Sequence, residues 1–103
     1  MKKVLLSADG DVCVYAVPDA VADDLAEWGD RFRQWMRTAP EAARHRLVLA
    51  GGEVCLAFNE RDFVRYLTEV AFPDQPSVLV TELGCIDPQD CPEPLRDAPW
   101  YNF

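Results

Sequence analysis

Between Pro18 and Pro40, Val21, Leu25, Trp28, Phe32, Trp35 and Met36 recur at steps of three and four, the last two adjacent. That spacing marks one face of an α-helix and predicts a helix from Asp19 to about Arg37. A stripe with three large aromatics needs a broad apolar layer to cover it, and a chain of 103 residues has room for few layer arrangements. Asp19, Asp23, Asp24 and Glu27 crowd the first half of the segment, and Arg31, Arg33 and Arg37 the second, which complements the helix dipole. Pro18 suits a first helical turn and Pro40 stops the element. Gly29 costs roughly 1 kcal/mol against Ala in a helix interior, so a neighbouring backbone is expected to pass close there.

The covering layer is expected to be a sheet. Val4-Leu5-Leu6 and Val12 to Val17 flank Ser7-Ala8-Asp9-Gly10-Asp11, and an Asp-Gly pair between apolar runs is a strong hairpin signal. A second hairpin is predicted over Arg46–Phe58, turning at Ala50-Gly51-Gly52-Glu53. Asn59 then caps a second helix, with Phe58 and Phe63 at the positions of a hydrophobic staple and Phe72-Pro73 as its stop. Ala8-Asp9-Gly10-Asp11-Val12-Cys13-Val14 aligns with Ala50-Gly51-Gly52-Glu53-Val54-Cys55-Leu56. Two readings stay open: a ββα-ββα pseudo-repeat sharing one sheet, or two turns of similar chemistry. Ser77–Leu83 fits either a strand or a short helix. Beyond it Pro88, Pro92, Pro94 and Pro99 predict an irregular tail. The expected fold is therefore α+β in a single domain, 1–103. An antiparallel sheet of about four strands carries two amphipathic helices on one face. A core over 1–84 is followed by an acidic, Pro-rich tail over 85–103 that packs back on it.

Composition narrows the function. The formal charge is −8, which argues against nucleic acid, because neutralising phosphates needs a basic stripe. No apolar run approaches the roughly 20 residues of a membrane span, and no signal-peptide pattern opens the chain. A cytoplasmic location with reduced thiols is the expectation.

Signatures of catalysis are missing. Gly51-Gly52 is not followed by a Lys-Ser/Thr pair, and there is no G-x-S-x-G elbow or histidine pair. His45, between Arg44 and Arg46, reads as a solvated loop residue rather than a general base. Cys13 and Cys55, inside Val-Cys-Val and Val-Cys-Leu, read as small buried core residues. Cys85 and Cys91 bracket two carboxylates and are the only candidates for a metal ligand or a reactive thiol, at a spacing wider than structural zinc usually takes. No cofactor is expected.

The excess acid has a location. Residues 73–103 carry Asp74, Glu82, Asp87, Asp90, Glu93 and Asp97 against Arg96 alone, a net charge of −5. Trp100, Tyr101 and Phe103 close the chain. Free, they would be a solubility liability, so they either pack back on the core or anchor a partner. Asp87, Asp90, Glu93, Asp97, Trp100 and Tyr101 are accordingly the candidate partner-binding residues.

Asn59-Glu60-Arg61-Asp62-Phe63 with Tyr66-Leu67, Phe72-Pro73-Asp74, Ser77-Val78, Leu83-Gly84 and Asn102-Phe103 resembles a set of small uncharacterised bacterial proteins. Ser7-Ala8-Asp9-Gly10-Asp11 with Val17-Pro18 is similar to their start. The resemblance implies a bacterial cytosolic domain and transfers no site residues. By general character the chain is also similar to immunity proteins of bacterial toxin systems. The reading is a non-enzymatic acidic module that binds another protein, a basic one. The alternatives are a cysteine- or metal-dependent enzyme or redox sensor, and a homodimeric structural subunit.

Overall fold

Asp9 and Gly10 decide where the chain first reverses. The computed structural model describes residues 1–103. It places strand β1 (Lys2–Ala8) antiparallel to β2 (Asp11–Val17), in register from Lys2 opposite Val17 to Ala8 opposite Asp11. Asp9 and Gly10 adopt φ of 56° and 91°, as both central residues of a two-residue type I′ turn must. The chain continues through α1 (Asp19–Asp23), α2 (Leu25–Thr38), a 3₁₀ segment (Pro40–His45), β3 (Arg46–Val48) and β4 (Val54–Leu56). There follow α3 (Glu60–Tyr66) with a π-helical turn (Leu67–Ala71), β5 (Val78–Cys85), two short 3₁₀ turns and β6 (Trp100–Asn102).

The fold is α+β around a four-stranded mixed sheet of order β5-β2-β1-β6. Only the β1–β6 pair is parallel, so the sheet is mostly antiparallel. Strand alternation divides its residues between two cores. Val4 and Leu6, with Cys13, Tyr15 and Val17, face the helices and meet Val21, Leu25, Phe32, Met36, Phe63 and Leu67. Leu5, Val12 and Val14 face the other way and are covered by Cys91, with Ile86, Leu95, Ala98 and Trp100 packed around them. Both faces of the sheet are therefore used.

Phe32 is completely buried and gathers the first core. The rings of Trp35, Phe58, Phe63, Tyr66 and Phe103 lie 5.5–6.4 Å from its own. The expected cap of α3 is formed: Asn59 accepts from the Asp62 N–H while the Asp62 carboxylate accepts from the Asn59 N–H.

Four expectations need correction. The helix over Asp19–Arg37 is broken at Asp24, whose φ/ψ of −146°/53° leaves the helical region. Asp competes poorly in a helix interior, so the break falls on a residue that tolerates it. The β3–β4 hairpin does not join the main sheet and forms its own two-stranded ladder, so no shared-sheet ββα repeat exists. The four strands come instead from the first hairpin, the Ser77–Leu83 segment, which is strand, and the tail. That tail is not irregular throughout: Trp100, Tyr101 and Asn102 register with Leu5, Leu6 and Ser7. Their proline neighbours hide the strand from composition, because Pro99 needs only its carbonyl, which accepts from the Leu5 N–H at 2.8 Å.

The fourth correction concerns Gly29. What passes close is a side chain: a Cβ at this position would lie 2.7 Å from Tyr101 Cζ. The Tyr101 ring cannot swing aside cheaply, since its hydroxyl accepts a hydrogen bond from Arg33 and its face packs on Phe103 at 4.6 Å. Gly29→Ala should destabilise the protein by about 1 kcal/mol net, overpacking strain exceeding the helix-propensity gain. In a Tyr101→Ala background the same change should instead stabilise by about 1 kcal/mol, the reversal of sign being read from urea midpoints.

Candidate functional site

The 85–98 segment that covers the second face of the sheet also carries the candidate acids. It alternates anchors with charges. Cys91 is buried and Leu95 and Ala98 half-buried against the sheet, whereas Asp87, Asp90, Glu93 and Asp97 are exposed. Two 3₁₀ turns, Pro88–Asp90 and Glu93–Leu95, fix the backbone between anchors. None of the four acids takes part in an ion pair; the pairs that exist join Met1 to Asp19, Lys2 to Asp23 and Arg31 to Glu27. Arg96, the one cation of the segment, donates from Nε to the Cys91 carbonyl at 3.3 Å. The acids thus stand as an uncompensated surface held by a packed backbone.

The aromatic candidates are placed differently. Trp100 packs into the second core and donates from Nε1 to Ser7 Oγ at 3.1 Å, and Ser7 Oγ donates in turn to Asn102 Oδ1 at 3.0 Å. Tyr101 and Phe103 lie on the opposite face, in the aromatic cluster around Phe32 and beneath the Arg33 guanidinium. Both rings are half-buried on the face away from the acids, whereas Trp100 shares the face that the acidic segment covers. An open cleft of about 430 Å³ does border Trp100, with Ser7, Val12, Ile86, Pro88 and Asn102 around it.

The two candidate sulfurs differ in exposure. Cys91 is buried in the second core, while Cys85 is exposed at the end of β5, its Sγ 3.8 Å from where a Cβ on Gly10 would stand. No three His, Cys, Asp or Glu side chains converge closely enough to hold a metal ion. Cys13 is buried as expected, but Cys55 is exposed, because the detached β3–β4 hairpin has no layer over it. Burial pushes the Cys13 thiol above its ordinary range, and the Glu60, Glu82 and Asp11 carboxylates push it further, against Arg61. That is the reverse of what a nucleophilic thiol needs. Burial likewise raises Tyr15 and Tyr66.

His45 is buried rather than solvated. Its Nδ1 lies 3.1 Å from the Ala57 carbonyl, which can only accept, so Nδ1 carries the proton. The Ala57 N–H returns a bond to the His45 carbonyl at 2.8 Å, and the Trp35 ring flanks the imidazole at 6.2 Å. His45 thus closes the base of the β3–β4 hairpin, and it borders neither cavity of the protein.

Sequence reasoning missed a second cavity, of about 260 Å³, between β2, β5 and the start of α3, where Asp11, Glu60 and Glu82 meet Cys13 and Arg61. They come from three separate parts of the chain, brought together by the β2–β5 pairing and by the start of α3 beside it, and no local motif signals it. No protein-family profile, curated protein or solved structure matches the chain. No helix is long and apolar enough to cross a membrane.

Native-state alkylation at pH 8 should modify two thiols, Cys55 and Cys85, within minutes. Cys13 and Cys91 should react only on unfolding. Since burial raises the Cys13 thiol above its ordinary range, raising the pH should speed its labelling less than that of the exposed thiols. Peptide mass mapping of the labelled chain reads both results.

Proposed function

We propose that this chain is a non-enzymatic module that binds a basic protein through the acidic surface of Asp87, Asp90, Glu93 and Asp97. The observation that carries the reading is that all four carboxylates are exposed and unpaired on a segment anchored by Cys91 and Leu95. A surface already ordered avoids much of the entropy cost a flexible acidic tail would meet on binding. Its charge would speed encounter with a positively charged partner and deter nucleic acid. An immunity protein that plugs a basic toxin in a bacterial cytosol is one concrete form. Trp100 and Tyr101 then act by fixing the acidic segment in place, not as contact anchors.

The quadruple variant D87N/D90N/E93Q/D97N should keep the parent's thermal midpoint and lose partner capture. With the purified partner its association should slow by roughly tenfold or more at low salt. Equal binding by parent and variant would sink the reading.

One observation favours a second reading, self-association as a structural homodimer. β5 is an edge strand on which Val78, Leu79 and Val80 are all roughly half exposed, and it lacks the lysines and prolines that guard such edges. Leu79→Lys should convert a sedimenting dimer to monomer. A parent chain that stays monomeric at high concentration removes this alternative.

A further inference from the structure

Across β2, β1 and β6, one row of paired residues on the second face of the sheet is Val14, Leu5 and Trp100, packed with Cys91, Leu95 and Ala98. The next row is Val12, Ser7 and Asn102, and it borders the open cleft of about 430 Å³ instead. Gly10 of the first turn and Ile86 and Pro88 of the departing chain complete that cleft, and the half-buried Trp100 forms a wall of it. Its volume lies within the range of roughly 300–1,000 Å³ that small-molecule sites occupy.

A hydrogen-bond relay sets the polar wall. The indole Nε1–H can only donate, and it gives to Ser7 Oγ at 3.1 Å. Ser7 is buried, and its own proton goes to Asn102 Oδ1 at 3.0 Å. The Asn102 amide is thereby oriented, with its oxygen toward Ser7. Its Nδ2 donors have no partner within the chain, and Oδ1 keeps a second lone pair. The cleft thus presents a donor and an acceptor side by side, next to an indole ring.

None of the residues lining the cleft is charged. Asp9 and Asp11 flank Gly10, and Asp87 lies between Ile86 and Pro88, all three exposed. A phosphate or carboxylate meets repulsion at such a mouth, and no lining cation offsets it. An uncharged planar ring with a donor and an acceptor on its edge satisfies every wall. Its face stacks on Trp100, Val12 and Ile86 supply apolar contact, and its edge pairs with an amide, as asparagine pairs with a base.

We propose that this cleft binds an uncharged nucleobase, as the free base or a nucleoside, stacked on Trp100 and read by the Asn102 amide. Ser7 is a positioning residue that fixes which way the amide faces. The site stands on Trp100, Ser7 and Asn102, so it does not rest on the partner proposed for Asp87–Asp97.

The test is an NMR titration of the full chain with adenosine, uridine and adenosine monophosphate. Saturable shifts should appear at the Gly10 and Ile86 amides and the Trp100 indole N–H, while the indoles of Trp28 and Trp35 stay in place. The monophosphate should bind roughly tenfold more weakly than adenosine at low salt, and the gap should narrow as salt rises. Asn102→Asp keeps an acceptor for Ser7 and removes the donor, so nucleoside binding should weaken by about tenfold. Asn102 is exposed, and circular dichroism confirms that the variant is folded. A preference for adenosine or for uridine supports the site and names a purine or a pyrimidine as its occupant. No saturable shifts with either nucleoside, a monophosphate that binds as well as adenosine, or undiminished affinity in the Asn102 variant would overturn it.

Discussion

Five rings converge on Phe32, and all but its α2 neighbour Trp35 come from distant parts of the chain. Trp35 belongs to α2, Phe58 to the segment before α3, Phe63 and Tyr66 to α3, and Phe103 is the last residue. Aromatic pairs contribute roughly 0.5–1.5 kcal/mol each beyond their area burial. A domain whose total stability is of order 10 kcal/mol depends on such a cluster. Both helices that cover the sheet are fastened through this ring, and so is the end of the chain. Tyr101 reinforces the arrangement by filling the gap that Gly29 leaves in α2. The glycine lowers local helix stability, and the close helix–strand contact it permits offsets that cost.

The C-terminal strand links the two cores. Because side chains alternate along it, Tyr101 faces the helices while Trp100 faces the opposite side, where it meets Ser7 and the second cluster. Pairing with β1 fixes Trp100, and residues 86–98 have to pass over Leu5, Val12 and Val14 to reach that register. The acids of that passage are therefore displayed by the same packing that closes the fold. Charge presentation and stability are tied to one another, so an apolar anchor such as Leu95 matters to the charged surface without being part of it.

Elements with strong local chemistry were legible in the sequence: the Asp9-Gly10 turn, the stripe of α2, and the Asn59 cap, to which the structure adds the reciprocal Asp62 bond. The places that were not legible share a cause, which is dependence on distant partners. β6 lies among prolines and becomes a strand only because Leu5, Leu6 and Ser7 offer it an edge. Cys55 sits in a sequence that matches Cys13, yet it is exposed, since no layer reaches its hairpin. His45 looked like a loop residue between two arginines and is buried by Trp35 and the returning Ala57 backbone. The candidate acids were visible by composition. That Trp100 and Tyr101 face away from one another follows only from the period of the strand they form.

Two kinds of surface remain uncovered, and charge sets how they compete. Leu47, Val48, Leu49 and Val54 on the detached hairpin, with Val78, Leu79 and Val80 on β5, leave aliphatic area in water. Area of this kind favours any partner, a second copy included. A second copy also brings its own charge of −8, so self-pairing works against repulsion that a basic partner would turn into attraction. At low ionic strength these forces act beyond 10 Å, and near physiological salt the Debye length falls to about 8 Å, which leaves mainly the local contacts. Dilution of salt should thus favour the basic partner proposed above, and concentrated salt the proposed self-pairing. The surplus of acid therefore favours a basic partner over a second copy wherever salt is low enough for charge to act between molecules.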